Sequence, residues 1–206
     1  MPAKYPISGT HYVNLRRFVL ELLQRSDSGF RFVIQLHRAL FVIEMTHYCE
    51  TGRPFVTAIG QQAVTFERQN SPDGAHPVCV QLPDALDRME ARGEVAIHTE
   101  PLFGLGGFSH PERCILRRQR YVIQGVIEPL KLNEGQSALF DAAIDWIAHG
   151  RHNELAMLPW ERVIATTTYG RRIERGAAML LRPFVPVRAF ERRLAKEISR
   201  GDSSES

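Results

Sequence analysis

The stretch from Phe32 to Gly52 constrains the fold of this chain more than any other. Twelve of the eighteen residues from Phe32 to Cys49 are apolar, and they occupy several faces of a helix rather than one stripe. Such a helix is usually buried on most sides. Gly52 can adopt the left-handed conformation that ends a helix, and Pro54 prevents the helix from resuming. We therefore predict a central buried helix, too short and too polar to span a membrane.

Length and charge predict one domain with an appendage. The chain has 206 residues, of which 44% are hydrophobic. From Arg171 onward there are nine Lys/Arg and five Asp/Glu, a net charge of +4, which leaves −1 for the rest of a chain whose total is +3. We expect a domain over residues 1–170 and a basic extension over residues 171–206 that ends in a disordered tail. The extension could contact nucleic acid or an acidic partner, or simply favour solubility.

The remaining pattern predicts a mainly α (α+β) fold, with a compact helical domain around the central helix. Amphipathic spacing predicts further helices over about residues 11–25, 83–92 and 133–150. Residues 95–98 and 114–127 read as strands of a small β-hairpin, inserted near residues 95–127. Between the central helix and residue 74, short apolar pieces broken by Gly60 allow either short strands or an irregular helix.

Few residue patterns in the chain suggest catalysis or metal binding. Glu44 and His47 form an E-x-x-H pair, but a di-iron site needs a second such pair and further carboxylates. Ser109 and His110 follow a glycine-rich piece that lacks the framing of a nucleophile elbow. We predict no catalytic residue, metal or cofactor, and treat an unrecognised enzyme site around Glu44, His47 and His110 as an alternative.

The cysteines and the hydropathy predict a compartment. The three cysteines lie far apart without a CxxC pair, which fits a reducing cytoplasm better than a disulfide framework. The first fifteen residues lack the apolar core of a signal peptide, and no apolar run reaches eighteen residues. We expect a cytoplasmic protein without membrane contact.

The predicted hairpin combines basic and aromatic residues and is our first candidate for partner binding. The candidate binding residues are Phe103, Phe108, Arg117, Arg118, Arg120 and Tyr121. A helix followed by a basic hairpin also has the outline of a winged helix, in which such arginines would contact phosphates. Against that alternative, four acids lie in or directly after the would-be recognition helix: Asp84, Asp87, Glu90 and Glu94.

The order of these features resembles the Panacea domain. The hallmark of that family, K-L-x-K-L-L-Y-x5-H-x4-G-R-P/S, resembles QLHRALFVIEMTHYCETGRP from Gln35 to Pro54. His47, Gly52 and Arg53 match directly, and four further positions match in kind: Leu36, Arg38, Leu40 and Phe41. Residues 80–94 and 132–158 are similar to later helices of the family.

The resemblance implies a mainly helical, non-enzymatic fold that binds another protein. In the family the partner is typically a toxin encoded beside the antitoxin, and some members are prophage proteins. We therefore expect an antitoxin or a phage- or plasmid-encoded accessory protein. The resemblance makes His47, Gly52 and Arg53 structural motif positions, and it leaves the partner unidentified.

Overall fold

The computed structural model describes residues 12–26, 33–58, 60, 62–71, 74–101, 117–125, 127–147 and 163–176. This part of the chain is an α+β mix, in which four helices contribute more residues than six short strands. The helices are α1 (Leu15–Arg25), α2 (Val33–Thr51), α3 (Leu82–Ala91) and α4 (Glu134–Ile147). The strands are β1 (Val13–Asn14), β2 (Val56–Thr57), β3 (Phe66–Ser71), β4 (Gly74–Cys79), β5 (Val95–Pro101) and β6 (Arg117–Ile123).

Local sequence accounts for where three of the helices begin or end. The side chain of Asn14 accepts the N–H of Arg16 and so caps α1. Asn133 and Gln136 cap α4 reciprocally, since each side-chain oxygen accepts the backbone N–H of the other residue. α2 ends before Gly52, whose φ of 70° is the left-handed conformation predicted for it.

The strands form three separate two-stranded sheets. β1 pairs with β2 in parallel, and β3 and β4 form an antiparallel hairpin that packs on α2. β5 and β6 form a second antiparallel hairpin, in which Val95 pairs with Ile123 and Ile97 with Tyr121. This hairpin confirms the two predicted strands. The ambiguous segment after α2 proves to be strands β2 and β3 rather than an irregular helix.

Apolar side chains from helices and strands share one core. Twelve of the nineteen residues of α2 are buried, and α2 contacts both β4 and α4. Phe18 of α1 and Phe140 of α4 lie with ring centroids 4.8 Å apart, and Phe55 packs edge-on against both rings. These three aromatic side chains connect α1 and α4 to the segment that follows α2.

The domain extends beyond the boundary predicted at residue 170. Ile173 is buried in the core, and its N–H donates to the carbonyl oxygen of Phe66. Arg172 forms a β-bridge with Glu67, and Arg175 contacts α2. Residues 171–176 are therefore part of the domain, because their backbone and side chains complete its packing. The rest of the predicted basic extension lies outside the described residues.

Candidate functional site

The E-x-x-H carboxylate of α2 is fully engaged inside the protein. Glu44 is 0% exposed, and its Oε2 accepts the backbone N–H groups of Phe55 and Val56, each at 2.9 Å. Its Oε1 accepts Nε and Nη2 of Arg175 at 3.1 and 2.9 Å. Arg175 Nη2 also donates to the carbonyl oxygen of Val64. Glu44 therefore connects α2 to the start of β2 and to the segment that contains Arg175.

Opposing effects act on the protonation of Glu44. Burial raises the pKa of its carboxyl group, because the charged form loses its water. The positive charge of Arg175 and the two backbone N–H donors lower the pKa in opposition. A carboxylate with four donors and no contact with solvent acts as a structural connector, because no part of it is exposed to a substrate.

His47 also lies in the core. It is 1% exposed, and its ring stacks on Phe55 with centroids 4.6 Å apart. Its Nδ1 lies 3.2 Å from the carbonyl oxygen of Arg53 and 3.3 Å from Thr51 Oγ1. Its Nε2 is buried without a hydrogen-bond partner among the described residues. Burial lowers the pKa of this imidazole, so the neutral form predominates at neutral pH.

A second buried histidine has a similar connecting role. Nδ1 of His37 accepts the backbone N–H of Cys79 at 3.0 Å, which joins α2 to the end of β4. Burial, with a smaller contribution from the nearby His76, lowers the pKa of His37 to about 4. Burial raises the pKa of the Cys79 thiol to about 12, so it is not a ready nucleophile. Within the part of the chain that the structure describes, no three His, Cys, Asp or Glu side chains group as a metal site would require.

The candidate binding residues of the predicted hairpin do not all lie on one surface. Phe103 and Phe108 lie outside the described residues, as do Ser109 and His110. Arg117, Arg118 and Arg120 lie in β6, where they pair with Pro101, Glu100 and His98 of β5. Tyr121 is 2% exposed and belongs to the core. Its predicted role as a partner-facing residue is therefore corrected, because alternation along a strand defines two faces without indicating which one is buried.

A different surface concentrates accessible positive charge. A cleft of about 520 Å³ lies between the first turn of α1, the segment after β2 and one side of α3. Four arginines line it: Arg16 and Arg17 of α1, Arg88 of α3, and Arg92, which is the C-cap of α3. The single acidic residue in the lining is Asp84. We refer to this surface as the arginine cleft.

The four arginines differ in their partners. Arg16 is held by Glu94 at 2.6 Å, and Arg17 lies 3.6 Å from the exposed carboxylate of Glu128. Arg88 and Arg92 are exposed, and neither side chain makes an ion pair with any described residue. Sequence reasoning missed this surface, although an available signal was the i, i+4 spacing of Arg88 and Arg92 on a predicted helix.

Comparison of the chain with protein-family models, curated proteins and solved structures finds no match. The resemblance to the Panacea domain therefore stays a prediction that depends on the residues quoted above. None of the described helices is both long and apolar enough to cross a membrane.

Proposed function

We propose that this chain is a non-enzymatic protein-binding module, and that it neutralises its partner by direct contact in the manner of an antitoxin. One contrast carries the proposal. The polar side chains of α2 that could have served chemistry bond inside the fold, as Glu44 does with Arg175 and His37 with Cys79. Four arginines instead line an accessible cleft on the surface. Such an arrangement favours recognition of another molecule over its chemical conversion.

Antitoxin activity is the more specific part of the proposal. It depends on the resemblance of Gln35–Pro54 to the Panacea hallmark. In this proposal α2 is the central helix of the scaffold, and His47 and Gly52 shape its C-terminal end. The cytoplasm is the compartment that suits such a protein, and a toxin encoded by an adjacent gene is the partner expected.

Co-expression with the product of the adjacent gene tests this function. We expect that product alone to arrest growth, and the full-length chain to restore growth and to elute with it as a stoichiometric complex of purified proteins. A point variant of the toxic product that no longer binds this chain should still arrest growth when the two are co-expressed. Continued arrest together with separate elution of the two purified proteins would refute the proposal.

A nucleic-acid-binding regulator is the second candidate, since α3 is followed directly by the β5–β6 hairpin, as a winged helix requires. The charge on α3 opposes it, because Asp84, Asp87 and Glu90 are all exposed. Gel shifts at low and moderate salt distinguish the two candidates. Binding to a DNA duplex that weakens steeply with salt would favour the regulator.

A further inference from the structure

The arginines of the cleft come from two helices that meet there. Arg88 lies in the last turn of α3 and Arg92 is its C-cap, where the C-terminal end of the helix favours positive charge. Arg16 and Arg17 occupy the first turn of α1 and are balanced by ion pairs with Glu94 and Glu128. Because Arg88 and Arg92 lie four residues apart and have no ion-pair partner among the described residues, a negatively charged ligand in the cleft would offset their mutual repulsion.

The chemistry of the lining indicates which kind of anion fits. Eight of the twelve lining residues are polar or charged, so the cleft presents several hydrogen-bonding groups beside its apolar surface. The polar members besides the arginines and Asp84 are the amides of Asn14, Gln62 and Gln81. The side chain of Asn14 caps α1 and that of Gln81 bonds to Thr65, so Gln62 supplies the amide that can pair with the N–H and C=O groups of a peptide backbone. Guanidinium groups pair with carboxylates through two parallel hydrogen bonds.

Apolar contacts complete the lining. Leu15, Ala58, Ala85 and Met89 contribute to the cleft, and of these Ala58 and Ala85 are partly exposed. A ligand that carries carboxylates alongside small apolar side chains would use both parts of the surface. Asp84 in the cleft, with Asp87 and Glu90 exposed on the same helix, would repel any unbroken row of negative charge. A peptide can place carboxylates against Arg88 and Arg92 and neutral residues beside Asp84, which a continuous phosphate backbone cannot do.

We propose that the arginine cleft binds an acidic peptide segment of the partner protein, with Arg88 and Arg92 pairing with its carboxylates. This inference extends the proposed protein-binding function by identifying the surface and the chemistry of the partner. The ion pairs of Arg16 with Glu94 and Arg17 with Glu128 hold those two arginines at the opposite side of the cleft. The segment would therefore be clamped between α1 and α3.

The direct test uses the full-length chain and a fluorescent peptide of alternating glutamate and leucine. The variant R88E/R92E should weaken its binding by about tenfold or more, since two charge-assisted contacts become repulsive. A matched variant, R171E/R172E, reverses two exposed arginines that do not line the cleft and should change affinity by about twofold or less. Unchanged thermal unfolding of both variants confirms that they are folded.

Comparison ligands make the result specific to the acidic peptide. A peptide with glutamine in place of glutamate should bind weakly, and a short DNA duplex should compete less well than the acidic peptide. Equal losses in the two variants, no binding of the acidic peptide by the unmodified chain, or preferential binding of DNA would overturn the proposal.

The test also separates this inference from the proposed function. If the product of the adjacent gene binds R88E/R92E as tightly as it binds the unmodified chain, the cleft assignment fails and protein binding stands. If the acidic peptide binds through Arg88 and Arg92 and the neighbouring product does not bind at all, the cleft assignment stands and the antitoxin proposal fails.

Discussion

Glu44 and Arg175 lie 131 positions apart in the sequence, yet their side chains form an ion pair in which the carboxylate is 0% exposed. The guanidinium is almost as well covered, at 13% side-chain exposure. This pair attaches the segment after residue 170 to α2 and fixes the chain around β2 through the N–H groups of Phe55 and Val56. It therefore joins parts of the domain that are distant in sequence.

Replacing Arg175 should destabilise the protein more than replacing a surface arginine. R175M keeps much of the side-chain volume but leaves the charge of Glu44 buried without its partner, which costs about 3–5 kcal/mol. Adding E44Q should recover part of the loss, because a neutral amide oxygen can still accept from Phe55 and Val56. R172M is the matched control, since Arg172 is 55% exposed and its pair with Glu174 is worth about 1 kcal/mol or less.

Urea unfolding at neutral pH measures these differences in stability. It compares the unmodified chain with R175M, with the double variant R175M/E44Q and with R172M. A loss in R175M no larger than that in R172M would mean that the ion pair does not hold the segment. As the pH falls, the difference in the free energy of unfolding between R175M and the unmodified chain should become smaller, because protonation removes the buried charge of Glu44.

Local patterns predicted the helices well because caps and apolar spacing act within a few residues. Asn133 with Gln136 and the glycine at position 52 are examples. α1 begins at Leu15 rather than near residue 11, because the short strand β1 occupies the preceding residues and Asn14 caps the helix. The strands after α2 stayed ambiguous, since short strands depend on tertiary contacts more than on propensity.

The Glu44–Arg175 ion pair and the arginine cleft both depend on contacts that no local sequence pattern specifies. Arg175 appears in the sequence as one of nine basic residues near the end, and nothing beside it indicates a partner in α2. The arginine cleft likewise forms only when the first turn of α1 meets α3. Residues so far apart in the sequence become neighbours only when the core packs, so the sequence alone could not predict either feature.

Acid should destabilise the protein through His37. Because burial depresses the pKa of His37 from 6.5 to about 4 in the folded state, the unfolded chain binds this proton more tightly. The contribution of His37 to stability is therefore fully present above about pH 6.5 and is lost as the pH falls towards 4. The depression corresponds to about 3 kcal/mol at most.

H37N tests this effect, because an asparagine oxygen can still accept the N–H of Cys79 but cannot titrate. The free energy of unfolding, measured between neutral pH and pH 4, should fall less steeply in H37N than in the unmodified chain. H98N is the control for replacing a histidine at an exposed position. Parallel pH profiles for H37N and the unmodified chain would contradict the assignment.

His47 should contribute through packing rather than through its nitrogen atoms. H47F preserves the stacking on Phe55 and removes the buried Nε2, so we expect the free energy of unfolding to change by about 1 kcal/mol or less. H47A leaves a cavity and should cost about 3–5 kcal/mol, as truncation of a buried aromatic ring does. If H47F were as damaging as H47A, the Nδ1 contacts with Arg53 and Thr51 would outweigh the stacking.

Gly52 should be required for its backbone conformation alone. Its φ is 70°, and a Cβ added there would meet nothing within 4 Å, so no clash contributes to the effect of a substitution. G52A should cost about 1–2 kcal/mol because an L-residue is strained in the left-handed region. G52N should cost less, since asparagine tolerates that region better. G176A is the control, because a Cβ at Gly176 would also meet nothing within 4 Å and this glycine has no positive φ. Thermal unfolding checks the prediction: we expect G176A to be the most stable of the three variants and G52A the least. Equal losses in G52A and G176A would show that the end of α2 does not depend on this conformation.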